Sequence, residues 1–465
     1  MLQRLSVPPL LKEISGYFRD AGFSVYLVGG AVRDSLLKKD ASDWDIATDA
    51  QPADVMRLFR RTIPTGISHG TVTIIYKQRH IECTTFRTES DYADGRHPET
   101  IAYTASIEAD LSRRDFTMNA VAVSLPDGFI TDPFNGRADI HAGRIRTVGN
   151  PLDRFLEDGL RPVRAVRFAA QLGFTVDEAT LAAIPQALHV TAKISIERFR
   201  DELNKMLVCP SPLTGLRLME SSGILQLFLP ELAECRGVEQ KGYHRFDVLD
   251  HSFLVCNACP AGAEHLHIRL AGLFHDIGKP AVRKQAEDGT YTFYRHEAVS
   301  EKLIRRIMKR LKYANSEIEK TAHLVAQHMF HYEPGWTDAA IRRFIVRVGK
   351  EHIDDLFALR HADTFGLAGS PLEPAFLAEF AGRIHSILQA AGAYSLKDLA
   401  VNGKDLMEAG IPAGRMLGLI LNDLLETVLE DPAQNTRERL LSIAAALHER
   451  FSRFGEAVSQ IGDRR

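Results

Sequence analysis

The chain has 465 residues, 45% hydrophobic and 25% charged, with a formal net charge of −3. That is the composition of an ordinary soluble globular protein of about two to four domains. No global basicity advertises nucleic acid, so any such binding must rest on local basic surfaces. Five cysteines, an odd number in a long chain, argue against a disulfide framework and for a reducing compartment. Cys256-x-x-Cys259 has no second pair at zinc spacing, so helical packing is its reading. The opening MLQRLSVPPLLKEISGYFRD breaks its apolar residues with charges and prolines too often for a signal peptide. No apolar run approaches the length of a membrane span, and a cytoplasmic protein is expected.

In chain order, residues 10–22 read as a short amphipathic helix leading into an apolar strand, Val25–Val28. Gly29-Gly30 follows, then a helix carrying Arg33, then Asp43-Trp-Asp45-Ile-Ala as a second strand. Pro52–Phe59 reads as a helix, Thr71–Tyr76 and Ile81–Phe86 as strands, the stretch near Arg113–Ala120 as helical, and Ala120–Leu125 as a strand. Beyond about residue 151 strand signals nearly vanish and helix follows helix, with no repeat and no low-complexity tract. The pattern is α+β, a small mixed sheet flanked by helices on a long helical body.

The stretch Val25–Asp49 carries the chemistry. On a strand, residues two apart share a face, so Asp43 and Asp45 would project together. Two such carboxylates repel unless a cation lies between them, and Mg²⁺ suits carboxylate oxygens combined with substrate phosphates. Gly29 and Gly30 let backbone approach a phosphate closely, and Arg33, about a turn further on, can reach the same group. A lone Asp-x-Asp is usually a solvated turn. The order strand, Gly-Gly, helix with Arg, Asp-x-Asp raises the reading to metal-assisted phosphoryl or nucleotidyl transfer. Glu82 is a candidate third acid or a plain salt-bridged residue, and the polar loop from Glu89 to Thr100 a candidate flap or an ordinary surface loop.

In Glu157-Asp158-Gly-Leu-Arg161-Pro-Val-Arg164-Ala-Val-Arg167, Asp158 and Arg161 are helical neighbours, and Arg164 and Arg167 continue the row. An ordinary ion pair is the bland alternative. The functional one rests on base edges. Cytosine and adenine each offer an amino donor beside a ring-nitrogen acceptor, which a carboxylate beside a guanidinium complements. Uracil and guanine present the reverse order, and mismatched buried partners discriminate strongly. Pro162 is tolerated only near a helix start, so this helix is expected to begin close to Asp158. Ser195 begins a further helix, Ile196 onward, read as structural.

The segment Val25–Asp49 resembles the signature of polymerase-β-type nucleotidyltransferases, in the bacterial class II branch of tRNA CCA-adding enzymes and poly(A) polymerases. The resemblance implies that Asp43 and Asp45 hold Mg²⁺, that Gly29, Gly30 and Arg33 bind the triphosphate, and that Arg114 of Arg113-Arg114-Asp115 contacts the nucleotide. It also implies that Asp158 with Arg161 acts as a protein template, with Arg164 and Arg167 as further nucleotide contacts. The family usually has Pro after the template Asp and an apolar residue after the template Arg. Here Gly159 and Pro162 stand there.

A second constellation is His251, His275-Asp276 in LAGLFHDIGK, and Asp363, with His296 and His328 as outlying candidates. This mixed N/O set suits a divalent metal and resembles the HD phosphohydrolase superfamily. The resemblance implies phosphoester hydrolysis, or a domain that keeps the fold alone. In the tail, Gly410-Ile-Pro-Ala-Gly414 joins two helices that either grip a phosphate backbone or form a plain helical hairpin.

The expected organisation is a nucleotidyltransferase head at 1–150, a helical neck at 151–235, an HD-type domain at 236–368 and an RNA-holding body and tail at 369–465. The expected activity is template-independent addition of C, C and A to tRNA from CTP and ATP, with tRNA as partner and neither DNA nor membrane involved. The competitors are an A-adding or CC-adding partial enzyme, a poly(A) polymerase, and an HD metal phosphohydrolase with an RNA-binding head.

Overall fold

The computed structural model describes residues 4–40, 43–90, 100–240, 245–368, 375–390 and 394–462. It divides into two compact units, Met1–Ala322 and His323–Arg465.

The first unit opens with α1 (Pro9–Asp20), whose Leu11, Ile14 and Phe18 recur at helical spacing and are buried. Then come β1 (Val25–Val28), α2 (Gly30–Leu36), β2 (Asp45–Thr48), α3 (Pro52–Leu58), β3 (Thr62–Gly66), β4 (Thr71–Tyr76) and β5 (Arg79–Thr85). The hairpin β6 (Arg87–Ser90) and β7 (Thr100–Tyr103) leads to α4 (Ile107–Ser112), β8 (Ala122–Ser124) and β9 (Ile130–Thr131). Residues 91–99, most of the candidate flap, lie outside the described residues.

The central sheet has the order β3-β4-β5-β2-β1-β8-β9, with β2 and β5 parallel and the other pairs antiparallel. Period-two alternation sorts its side chains. One face carries Val25, Leu27, Ile46, Val72, Ile74, Ile81 and Cys83 into a core with α1, α2 and α3. The other carries Val28, Ala47 and Ala122 into a second cluster with Ile107 and Leu111 of α4. Register then decides the chemistry. Val28 lies opposite Asp45, and Asp45 opposite Glu82, in one row across the sheet.

Two local expectations are corrected. Strand β2 begins at Asp45, so Asp43 lies in the bend before it rather than on the strand. The helix expected near Arg113–Ala120 is absent: α4 stops at Ser112, and only a 3-10 turn, Thr117–Asn119, follows. The backbone there pairs with another segment instead, Thr117 N donating to Arg146 O and Val148 N to Asp115 O.

The helical body begins with α5 (Gly136–His141), α6 (Pro151–Glu157), α7 (Leu160–Leu172), α8 (Glu178–Thr191) and α9 (Ile196–Leu207). Beyond residue 151 the described residues hold just three two-residue strands. Pro162 is the third residue of α7, where it costs no helical hydrogen bond. The departure at Gly159 has a steric cause. A Cβ there would lie 2.6 Å from Val190 O and 2.9 Å from the Thr191 Cα of α8. All five cysteines are buried free thiols.

In the second unit, helices Gly403–Glu408, Arg415–Glu430 and Arg437–Gly462 enclose Leu406, Ile420, Leu424, Val428 and Leu440. Asn402 and Asp405 form a reciprocal capping box, and the turn between the first two helices has Gly410 and Gly414 at positive φ. No described helix is long and apolar enough to cross a membrane.

Candidate active site

A cavity of about 600 Å³ opens where the strand row, α2, α7 and α9 converge. Asp43, Asp45 and Glu82 line one part; Arg33, Arg87, Arg113, Arg114, Arg164, Arg167 and Lys205 line the rest. A larger cleft of about 710 Å³ lies against Lys38, Asp132, Arg137 and His141. Its one lining carboxylate, Asp132, accepts from the backbone of Gly136 and Arg137, so the chemistry belongs to the smaller cavity.

Asp45 is the electrostatic centre of the acidic wall. Burial, then the facing Glu82 and the nearby Asp43, raise its pKa to about 6 against the pull of Arg114. That is the signature of carboxylates gathered to share a cation. The donor set is all oxygen, which fits Mg²⁺. Glu82 lies opposite Asp45 by register and lines the same wall.

Gly29 bridges the two walls. Its φ of +72° favours glycine, and a Cβ there would sit 3.3 Å from Arg114 Nη1 and 3.6 Å from Asp45 Oδ2. Behind it, Arg33 is buried; Nε and Nη2 donate to Asp34 and Nη1 to Asn119 Oδ1 at 3.0 Å. Arg113 and Arg114 leave the end of α4 and both pair with Asp110, which is fully buried. Burial alone would raise the Asp110 pKa, yet the two guanidiniums hold it below its usual value. Arg114 Nε is buried with no hydrogen-bond partner among the described residues.

The basic wall is built on α7 and α9. Arg164 donates from Nε and Nη2 to Asp115 Oδ2 at 2.8 and 2.7 Å. Burial opposes ionisation of Asp115, but Arg164 and Asn119 hold its pKa at about 2. Arg167 donates to the buried Glu202 of α9 at 2.8 Å and lies 3.5 Å over the ring of Phe168. Lys205, one turn on, also reaches Glu202. So α9, read from sequence as structural, supplies the anion that holds this wall. Asn119 and Glu202 were missed because Arg33 and Arg167, which they hold, lie far from them in the chain, whereas Asp110 and Lys205 make local i,i+3 pairs that carry no signal of a site.

Asp158 and Arg161 stand otherwise than expected. Asp158 accepts from Leu160 N and from Arg198 Nη2 at 2.9 Å. Arg161 is buried, donating to Arg154 O, Glu157 Oε2 and Arg113 O. Its carboxylate partner is thus Glu157 rather than Asp158, and neither member of the expected pair is among the cavity's lining residues.

The histidine constellation is partly assembled within the first unit. His251 and His275 bring their Nε2 atoms to 3.1 Å, and these lie 3.5 and 3.2 Å from Asp276 Oδ2. His296 Nε2 is 3.0 Å from Asp276 Oδ1, and Lys279 Nζ is 2.6 Å from Oδ2. Burial would raise the Asp276 pKa, but His275 and Lys279 drive it well below its usual value. The Nδ1 atoms of His275 and His296 face the carbonyls of Gly272 and Phe293, which points both Nε2 atoms toward Asp276. The imidazole–carboxylate set fits a divalent transition metal. Asp363 lies in the second unit, buried and paired with Arg360 at 3.0 Å.

A mixed sheet that seats Asp45 beside Glu82, faced by arginines from a helical neck, defines a metal-dependent nucleotidyltransferase with a head and a helical body. Residues 25–146 match the family described as "Poly A polymerase head domain", residues 173–236 "Probable RNA and SrmB- binding site of polymerase A", and residues 286–444 "tRNA nucleotidyltransferase domain 2 putative". The CCA-adding enzyme of Lactobacillus johnsonii is 32% identical over 440 residues, 95% of this chain and 96% of the relative. That of Geobacillus kaustophilus is 35% identical over 424 residues, 90% and 92% of the two chains. The Bacillus stearothermophilus CCA-adding enzyme, solved in complex with CTP, superposes with a TM-score of 0.73 at 29% identity, covering 97% of this chain and all of the other. A Thermotoga maritima CCA-adding enzyme complexed with tRNA shares the fold, with a TM-score of 0.59 at 20% identity over 95% and 96% of the two chains. The chain belongs to the CCA-adding enzyme family.

Proposed function

We propose that the protein adds C, C and A to the 3′ end of tRNA from CTP and ATP, releasing pyrophosphate. The observation that carries this is the cavity in which Asp43, Asp45 and Glu82 face seven cationic side chains, in a chain matched along nearly its whole length by CCA-adding enzymes. Bound at Asp43 and Asp45, Mg²⁺ supplies the positive charge that acidifies the attacking hydroxyl and stabilises the leaving pyrophosphate. Gly29 and Gly30 admit the triphosphate close to the backbone. Of the five N–H donors of Arg33, three are engaged, leaving two for phosphate oxygens. Arg114 lies beside Gly29 to hold the sugar end, and Arg164 and Arg167 carry the nucleotide further.

Base choice falls to Asp158 and Arg161. For them to meet a base, Arg198 must yield Asp158 and Glu157 must yield Arg161. Selection is then coupled to a local rearrangement of the neck. The test is product length with purified protein, Mg²⁺ and a tRNA lacking its last three nucleotides. Two additions with CTP, and a stop at three with CTP and ATP, are expected. A long ladder with ATP alone would make it a poly(A) polymerase. Extension only with CTP, or only on a CC-ended tRNA with ATP, would make it a partial enzyme.

A second reading is favoured by the buried His251–His275–Asp276 cluster with His296: a divalent-metal phosphoester hydrolase centre of the HD type. Hydrolysis of a ribonucleoside 2′,3′-cyclic phosphate with Mn²⁺, lost in His275→Ala, tests it.

A further inference from the structure

The two ends of the cavity are joined by an unbroken line of polar contacts that neither the metal chemistry nor base selection uses. Arg33 Nη1 donates to Asn119 Oδ1 at 3.0 Å. Asn119 Nδ2 donates to Asp115 Oδ1 at 3.1 Å. Asp115 Oδ2 accepts from Arg164 at 2.7–2.8 Å, and Arg164 Nη1 lies 4.0 Å from Glu202, which holds Arg167 and Lys205. Asn119 is 7% exposed and lines the cavity between Arg33 of α2 and Arg164 of α7.

We propose that Asn119 is a positioning residue that couples Arg33, at the phosphate end of the cavity, to Arg164 at its far end, so that the two arginines engage a nucleotide as a unit. The inference rests on reading this cavity as the nucleotide site. Chemistry singles out the amide. Between a guanidinium and a carboxylate the position needs an acceptor on one side and a donor on the other, and a side-chain amide offers both. The opposite flip would set NH₂ against the guanidinium and C=O against the carboxylate, so the partners fix its orientation. A carboxylate in its place would keep Arg33 but repel Asp115, loosening the anion that holds Arg164. An apolar residue would release both. Since Oδ1 of Asp115 also accepts from Phe116 N, a shift of Asp115 moves the backbone turn that follows Arg113 and Arg114.

The test is a double-mutant cycle on the full chain with Mg²⁺, CTP and a tRNA lacking CCA. Arg33→Met and Arg164→Met are combined in the wild-type and in the Asn119→Leu backgrounds. In the wild-type background the joint loss in kcat/KM is expected to fall short of the product of the single losses by about fivefold or more, the size of coupling seen between residues of one network. In Asn119→Leu the losses multiply. Asn119→Asp, nearly isosteric, is expected to raise KM for CTP about tenfold with kcat changed by less than about threefold. Losses that multiply in both backgrounds, or an Asn119→Asp effect confined to kcat or to Tm, would overturn the coupling while leaving the cavity's assignment intact. Failure of the wild-type chain to bind Mg²⁺·CTP at all would overturn both.

Discussion

At Asp45 the requirements of folding and of chemistry oppose each other. Its pKa stands at about 6 against an ordinary 3.8, through burial and the repulsion of Glu82 and Asp43. A raised folded-state value means the contribution to stability is fully present below the unfolded value and is lost as pH rises through about 6. Ionised at neutral pH, the group costs the native state up to about 3 kcal/mol. Without divalent cation, thermal unfolding should show wild-type Tm falling between pH 4.5 and 7, while Asp45→Asn holds its Tm and is the more stable by a few degrees at pH 7. Mg²⁺ should raise the wild-type Tm and leave the variant's unmoved, while nucleotide addition by the variant drops on the order of 10³-fold. Gly29→Ala should act on the same corner from the other side. At φ +72° the new methyl costs about 1–2 kcal/mol of backbone strain and crowds Arg114 Nη1 at 3.3 Å, so single-turnover extension should slow by on the order of tenfold. Both residues were legible in sequence because carboxylate spacing and a paired glycine are local signals. Glu82 was legible only as a candidate, since its place beside Asp45 is a matter of strand register, which one sequence does not print.

Among elements, α7 with its neighbours α8 and α9 decides how the basic wall is aimed. The wall's own arginines were readable from their spacing on α7. Their orientation was not, because it depends on Glu202, 35 residues downstream of Arg167, and on Asp115, 49 residues upstream of Arg164. Asp158 shows the same distance effect, since its partner Arg198 comes from α9, whereas Arg161 takes the carboxylate of Glu157 only four residues earlier. Likewise the helix expected near Arg113–Ala120 lost to pairing with residues 146–148, a partner invisible to local periodicity. Gly159 sets how closely α8 approaches the start of α7. In Gly159→Ala the added carbon meets Val190 O at 2.6 Å, against the backbone of α8 with no flexible side chain to give way. Urea unfolding should show a loss of about 1–3 kcal/mol. KM for CTP should rise in the same variant, because Asp158 and Arg161 begin the displaced turn.

For the whole molecule, a net charge of −3 conceals a strongly polarised interior. Seven cations and four carboxylates, Asp43, Asp45, Glu82 and Asp115, line a single cavity in the first unit, so overall composition could not announce a nucleotide site. The His251–His275–Asp276 cluster belongs to the same unit but shares no residue with that cavity, and its donor set is different in kind. An all-carboxylate site prefers Mg²⁺, whereas imidazole with carboxylate prefers a transition metal. If both readings hold, each centre should be switched off without the other. Asp43→Ala should abolish tRNA extension in Mg²⁺ yet leave Mn²⁺-dependent hydrolysis of a 2′,3′-cyclic phosphate within about twofold of wild type. His275→Ala should do the reverse. A chelator added to the protein should stop both, with Mg²⁺ alone restoring extension and Mn²⁺ required for hydrolysis. Lys279 sharpens the case, because its ammonium already neutralises Asp276 at 2.6 Å and a metal must compete with it. Lys279→Met should therefore tighten Mn²⁺ binding at the cluster, read by isothermal titration, while tRNA extension stays unchanged. Equal Mn²⁺ affinity in Lys279→Met, His275→Ala and wild type would mean that the cluster holds no metal.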